Sequence, residues 1–291
     1  MALNPLHVAT LRWYQALDGG ELKVGNSPFG LAFDGTHIWV ANFVSDNVTK
    51  IRCMDGADLG SIAVNRAPIA VAFDGSHIWV ANNGSDSVTK LRASDGTVAG
   101  NFPVGSAPIS VAFDGSSVWV ANSKGDSVTK LRASDGANLG NFSVGSSPQG
   151  LAFDGTHIWV TNNSGNTATK LRASDGATAG TYAVGNSPTG IAFDGANIWV
   201  ANHGSDSVTK LRAADGANLG NFPAGSFPTG VAFDGAAIWI TNSGADSVTK
   251  LRASDAANLG NFPVGRSPRA VAFDGMHVWI ANTNSDSLSK R

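Results

Sequence analysis

Most of the side chains able to do acid–base or ligand chemistry recur on one fixed spacing. His37, His77, His157 and His277 stand 40 residues apart or at multiples of it, each three residues after an aspartate. Those aspartates belong to a Phe-Asp-Gly triplet that begins at Phe33, Phe73, Phe113, Phe153, Phe193, Phe233 and Phe273. Groups repeated this evenly are too far apart to share one metal ion, and an Asp-Gly pair is a turn signal before it is an acid. Glu21 is the sole glutamate. The chain has no Ser-His-Asp spacing motif, no glycine-rich phosphate loop leading into a helix, and no His-x-x-x-His. No catalytic residue and no metal ligand set is expected from spacing.

A site for one asymmetric ligand needs residues that differ between repeats. After the recurring proline the residues are Phe29, Ile69, Ile109, Gln149, Thr189, Thr229 and Arg269. Two before it they are Asn26, Arg66, Ser106, Ser146, Asn186, Ser226 and Arg266. After the recurring asparagine they are Phe43, Asn83, Ser123, Asn163, His203, Ser243 and Thr283. The outliers are Arg66, Arg266, Arg269, Phe29 and Phe43, with His203 and the nearby Phe227 as a second group. Guanidinium groups beside aromatic rings hold anionic or planar ligands through bidentate and stacking contacts.

The elements that position these residues follow from the period. Trp39, Trp79, Trp119, Trp159, Trp199, Trp239 and Trp279 recur with it, as do Asn42 and its six equivalents, without insertion. In the second repeat, Ile69–Phe73 reads as a short buried strand, and Asp74-Gly75 as a two-residue hairpin turn. His77–Ala81 is a second buried strand, rich in β-branched and aromatic residues. Asn82–Asp86 is a loop, Ser87–Arg92 a third and more exposed strand, Ser94-Asp95-Gly96 a turn, and Val98–Val104 a weaker fourth strand. Lys50 and Arg52, with their equivalents, read as a solvated outer face, and the recurring asparagine as a partner for loop backbone groups.

Four antiparallel strands per repeat of 40 residues predict an all-β protein, a seven-bladed β-propeller. Residues 26–267 give six continuous blades. Residues 1–25 and 268–291 share the seventh, so strands from both termini close the ring. Its outermost strand falls near Gly20–Val24. Its third strand is contested between Val8–Trp13 and Ser287–Arg291, and the ordinary loop length before Ser287 favours the latter. Each recurring tryptophan should wedge between neighbouring blades, where truncation to alanine costs roughly 3–5 kcal/mol. Alternation places the Phe-Asp-Gly and Ser-Asp-Gly turns on one face. The Asn-x-x-Ser-Asp loops and Val-Gly-x-Ser-Pro links lie on the other, and ring closure makes the first, second and seventh blades neighbours.

The pattern Pro-x-Gly-[Val/Ile/Leu]-Ala-Phe-Asp-Gly-x-x-[Ile/Val]-Trp-Val-Ala-Asn, followed by Ser-Asp-Ser-Val-Thr-Lys-Leu, resembles YVTN-type repeats. It is also similar to the repeats of the streptogramin B (virginiamycin B) lyase propellers. The lyase resemblance implies a histidine, an acidic ligand and magnesium on one propeller face. His203 is the histidine in a loop of that kind, Glu21 lies on a different blade, and no catalytic residue carries over by position.

The net charge is −2, so no basic field recruits nucleic acid. No run of the roughly 20 apolar residues that span a bilayer occurs. The lone Cys53 allows no internal disulfide, and Met1–Tyr14 carries no apolar signal core. A cytoplasmic monomer is expected, or a secreted one if a signal has been removed. The expected function is a non-enzymatic scaffold without cofactor, holding a protein, peptide or glycan on the loop face around the central channel. The alternatives are a multivalent lectin and a magnesium-dependent lyase-like enzyme.

Overall fold

The computed structural model describes residues 20–291. Among them are 28 strands and no helix, in seven four-stranded antiparallel sheets. Six sheets are sequential: Pro28–Phe33, His37–Asn42, Asn47–Arg52 and Asp58–Ala63 form blade 1, innermost to outermost, and blades 2 to 6 repeat it. The seventh sheet is composite. Pro268–Phe273, Val278–Asn282 and Ser287–Lys290 are followed outward by Glu21–Lys23, which pairs Leu22 with Leu288. The C-terminal segment therefore supplies the third strand of the closing blade; Val8–Trp13 lies outside the described residues. Ser287 Oγ donates to Glu21 Oε2 at 2.6 Å across this seam.

The tryptophans are the wedges. Trp39 is fully buried against Val71, Ile78, Val80 and Leu91 of blade 2. Trp279 does the same against Ile38, Val40 and Ile51 of blade 1, which closes the ring. A buried indole N–H needs an acceptor. In all seven blades it is the turn aspartate: Trp39 Nε1 donates to Asp34 Oδ2 at 2.8 Å, and the six equivalents lie at 2.7 to 2.8 Å. The other oxygen accepts from the backbone N–H groups of Thr36 and His37.

This corrects the turn assignment. The Asp34 N–H bonds the carbonyl of His37, so the two tip residues are Gly35 and Thr36, with Gly35 at φ 99°. The aspartate is pushed out of the tip because its carboxylate is needed beneath it.

The third strand also differs from expectation. It is nearly all buried, and the solvated strand is the fourth. Lys130 pairs across the sheet with Trp119, so both side chains face the next blade. Its Nζ donates to the carbonyls of Ala173 at 2.6 Å and Ser174 at 3.4 Å, and lies 4.9 Å from the Trp119 ring centroid. Equivalent bonds run from Lys50, Lys90, Lys170 and Lys210, and Lys290 returns to the Cys53 carbonyl of blade 1. These six lysines are blade-to-blade ties, not an outer charged face; Lys250 differs, its Nζ lying 3.7 Å from Asp234 Oδ2 of its own blade. Only the arginine two residues on is solvated, in a local pair such as Arg132–Asp135.

The recurring asparagine is a correction of the same kind. Asn122 is fully buried, and its Nδ2 donates to Thr129 Oγ1 at 2.9 Å, which donates to Asn141 Oδ1 at 2.6 Å. This polar ladder crosses three strands; the asparagine N–H groups do not serve the loop backbone. Backbone contact is limited to the amide oxygens of Asn202 and Asn242, which accept from Gly185 and Gly225. The loop backbone is held by the next aspartate. Asp46 Oδ1 accepts from Ala67 N at 2.7 Å on the link to blade 2, and Asp286 does so from Ser27 at the closure.

Burial alone would raise the pKa of Asp114, but hydrogen bonds from Trp119, Ser116 and Ser117 outweigh it and hold it below the ordinary 3.8. The same direction and causes hold at Asp34, Asp74, Asp154, Asp194, Asp234 and Asp274. A carboxylate whose pKa is lower folded than unfolded contributes stability that is fully present above its unfolded pKa. That stability is lost as pH falls through the folded value. With seven copies, urea midpoints should hold from pH 7 to about pH 5 and collapse below about pH 4. Asp114→Asn should cost about 1–3 kcal/mol at pH 7, because an amide offers one acceptor oxygen where donors converge on both carboxylate oxygens. The loss should shrink at pH 3.

The lysine assignment is tested the same way. Lys130→Met keeps the apolar stem and leaves two carbonyls unserved, and should cost about 1–3 kcal/mol. Arg132→Ala should stay within about 1 kcal/mol. Equal urea midpoints for the two variants would contradict the buried placement.

Candidate functional site

The loop face carries the breaks in symmetry, because the link before each first strand and the loop after each second strand both end there. Link and loop are clamped together: Phe43 N bonds the Ser27 carbonyl and His203 N the Ser187 carbonyl. The residue after each asparagine therefore sits beside the entry to the innermost strand. Where it is polar it often ties two blades. Asn83 Nδ2 donates to the Pro108 carbonyl, Asn163 Nδ2 to that of Pro188, and Thr283 Oγ1 to that of Pro28.

Phe43 and His203 do something else. The Phe43 ring packs on Phe29 with centroids 5.4 Å apart, and the Arg269 guanidinium lies 5.3 Å from the Phe29 centroid. Arg269 is partly buried, and burial holds its pKa below the usual arginine range. Its Nε is enclosed and has no hydrogen-bond partner among the described residues. A half-buried guanidinium resting on an aromatic face with unused donors has the chemistry that anion binding requires.

His203 stacks on Phe227 with centroids 5.0 Å apart and ring planes 26° from parallel. Phe227 is 51% exposed, at a link position held at φ 54°, with its N–H bound to Asp206 Oδ1. The ring also covers Gly244, where an added Cβ would fall 2.4 Å from it. The His203 pKa is lowered, first by burial and then by the positive charge of Arg269, against a smaller opposing pull from Asp206. The two groups separated in the sequence thus feel each other: Arg269 of blade 7 rests on blade 1 and acts on blade 5.

Arg66 and Arg266 stand exposed on their links, and neither guanidinium makes an ion pair or hydrogen bond among the described residues. The structure joins Arg269, Phe29 and Phe43 directly and leaves the other two arginines apart. Val44, 60% exposed beside Phe43, was missed. Comparing repeats one position further on would have found it, since its equivalents are Gly84, Lys124, Ser164, Gly204, Gly244 and Asn284.

The four repeated histidines are on the opposite face, half-buried at the turns, with His37 Nδ1 3.1 Å from Asp34 Oδ2. No three His, Cys, Asp or Glu side chains gather as a metal ligand set among the described residues. On the loop face, His203 has a guanidinium as its charged neighbour, and Asp206 is engaged by the backbone of Phe227. A magnesium ion does not fit this donor set.

No protein-family model matches the chain, and no curated protein matches it. Solved structures share the fold. A streptogramin B lyase superposes with a TM-score of 0.80 at 18% identity, over 93% of this chain and 96% of that one. The virginiamycin B lyase of Staphylococcus aureus, solved as a catalytically inactive histidine-to-alanine variant with quinupristin, gives 0.81 at 18%, over 93% and 97%. Hydrazine synthase of Kuenenia stuttgartiensis gives 0.80 at 19%, over 94% and 97%. Such distant likeness establishes the architecture alone.

Arg269→Gln should raise the His203 pKa toward 6.5, since the guanidinium now opposes imidazole protonation. Titration of the His203 ring protons by NMR checks this, and an unchanged midpoint would show that the two residues are not coupled.

Proposed function

We propose that this propeller is a non-enzymatic binding protein whose ligand presents a planar anionic group to the loop face at the channel mouth. The observation that carries this reading is Arg269, half-buried on the Phe29 ring with no hydrogen-bond or ion-pair partner for its guanidinium among the described residues. A carboxylate would take the guanidinium's free donors, and the exposed Phe227–His203 pair offers a stacking surface nearby. Carboxylates of this kind are presented by peptide side chains and termini and by acidic glycans.

Two features favour this over the alternatives. A sugar site repeated in every blade would use a ring recurring in every blade, yet the seven described tryptophans are buried between blades and serve as wedges. A metal-assisted lyase reaction calls for a histidine with acidic partners, whereas the charge of Arg269 opposes protonation of His203 and Asp206 is engaged by the Phe227 backbone. No catalytic step is derived.

Benzoate is the probe. It should shift NMR signals of Arg269, His203 and Phe227, while uncharged benzamide at the same concentration should not. Arg269→Gln should weaken benzoate binding by about tenfold or more, the worth of a charged hydrogen bond. No benzoate shift, or equal binding to the variant, would sink the reading.

A further inference from the structure

Far from the channel, on the outer rim, five blades carry a ring that the other two lack, the closing blade having Leu22 in its place. The fourth strand of blades 2 to 6 carries Phe102, Phe142, Tyr182, Phe222 and Phe262, and blade 1 has Ile62 at that position. Each ring lies against its own blade's tryptophan, as with Trp79–Phe102 at 5.6 Å and Trp159–Tyr182 at 5.4 Å. Each also covers a glycine two residues earlier. An added Cβ would lie 2.7 Å from the ring at Gly100, 2.9 Å at Gly140, 2.4 Å from the hydroxyl at Gly180, 2.9 Å at Gly220 and 3.0 Å at Gly260. Over Gly60 of blade 1 there is nothing within 4 Å. Beside Ile62 lies an open groove of about 300 Å³ between blades 1 and 2, lined by Lys50, Leu59, Gly60, Ile62, Asp95 and Gly96 among others.

We infer that this slot binds a single aromatic ring from solution, a phenyl or phenol group, over Gly60 and beside Ile62, whose side chain packs on Gly96. The five internal copies show what fits: a six-membered ring above the glycine, with room at Tyr182 for a hydroxyl. The walls are apolar at Leu59 and Ile62. Lys50 and Asp95 place opposite charges at the rim, with the Asp95 pKa pulled to about 2 by hydrogen bonds from Thr97 and Arg92. A preformed concavity with a few apolar walls and polar groups at its edge is the usual basis of small-ligand binding. The slot is independent of the loop-face reading and shares no residue with it.

The test uses the whole protein with phenol and N-acetyl-tyrosinamide as probes, followed by NMR, and with a crystal soaked in 4-iodophenol. Expected are shifts at Gly60, Ile62 and Gly96 and an iodine peak over Gly60. Shifts from phenol alone would assign a free small aromatic, and shifts from both would assign a partner's tyrosine. Ile62→Phe and Ile62→Tyr close the slot with the protein's own ring. They should weaken phenol binding by about tenfold or more and raise the urea midpoint. Arg269→Gln should leave phenol binding unchanged. Absence of shifts at these residues would overturn the proposal, as would undiminished binding to the ring variants or failure of both to fold.

Discussion

Everything in this ring depends on a buried indole that must keep its hydrogen bond. The tryptophan of each second strand contributes the largest apolar surface between blades, and it can be buried only because a carboxylate five residues earlier accepts its N–H. That carboxylate reaches the indole because it lies just outside a two-residue turn whose backbone N–H groups it also accepts. The turn, the wedge and the ionisation of seven aspartates are therefore one device. A propeller has no central core to fall back on, so a device repeated at each interface sets the cohesion of the whole.

The lysine ties and the asparagine ladder complete the interface. The lysine ammonium crosses to the next blade's carbonyls while its stem lies along the tryptophan, so one side chain serves apolar packing and polar satisfaction together. Within a blade, the asparagine N–H group links the second strand to the third, and a hydroxyl carries the link to the fourth. The closing blade uses this machinery with strands from two ends of the chain. Asp286, Lys290 and Trp279 reach blade 1 as their equivalents reach their own neighbours.

Both proposed sites lie where the repeats depart from one another. Repeats held by the same contacts leave few positions free to vary: the links, the residue after the asparagine, and the outer strand. On the loop face, Arg269, Phe29, Phe43, His203 and Phe227 put charge and rings where other repeats have aliphatic or small polar residues. At the rim, Ile62 replaces a ring and leaves a space. One kind of change adds a group for a ligand to meet, and the other removes a group whose shape a ligand can copy.

The 40-residue period, the alternation within each strand and the Asp-Gly signals determined the architecture, the blade count, the sharing of the closing blade and the tryptophan wedges. These follow from local geometry and from a repeat too short to fold alone. The outliers at positions 29, 43, 203 and 269 were legible for the same reason, because a repeat shows its own exceptions. What the sequence left undecided was contact between blades. Lys130 and Arg132 look alike along a strand, yet one is buried and one solvated, since only the neighbouring blade decides which cation meets a carbonyl. The coupling of Arg269 to His203 joins residues 66 positions apart, because ring curvature turns distant repeats toward one channel. The slot over Gly60 needed the structure as well: an isoleucine for a phenylalanine reads as a conservative change until the space it fails to fill is seen.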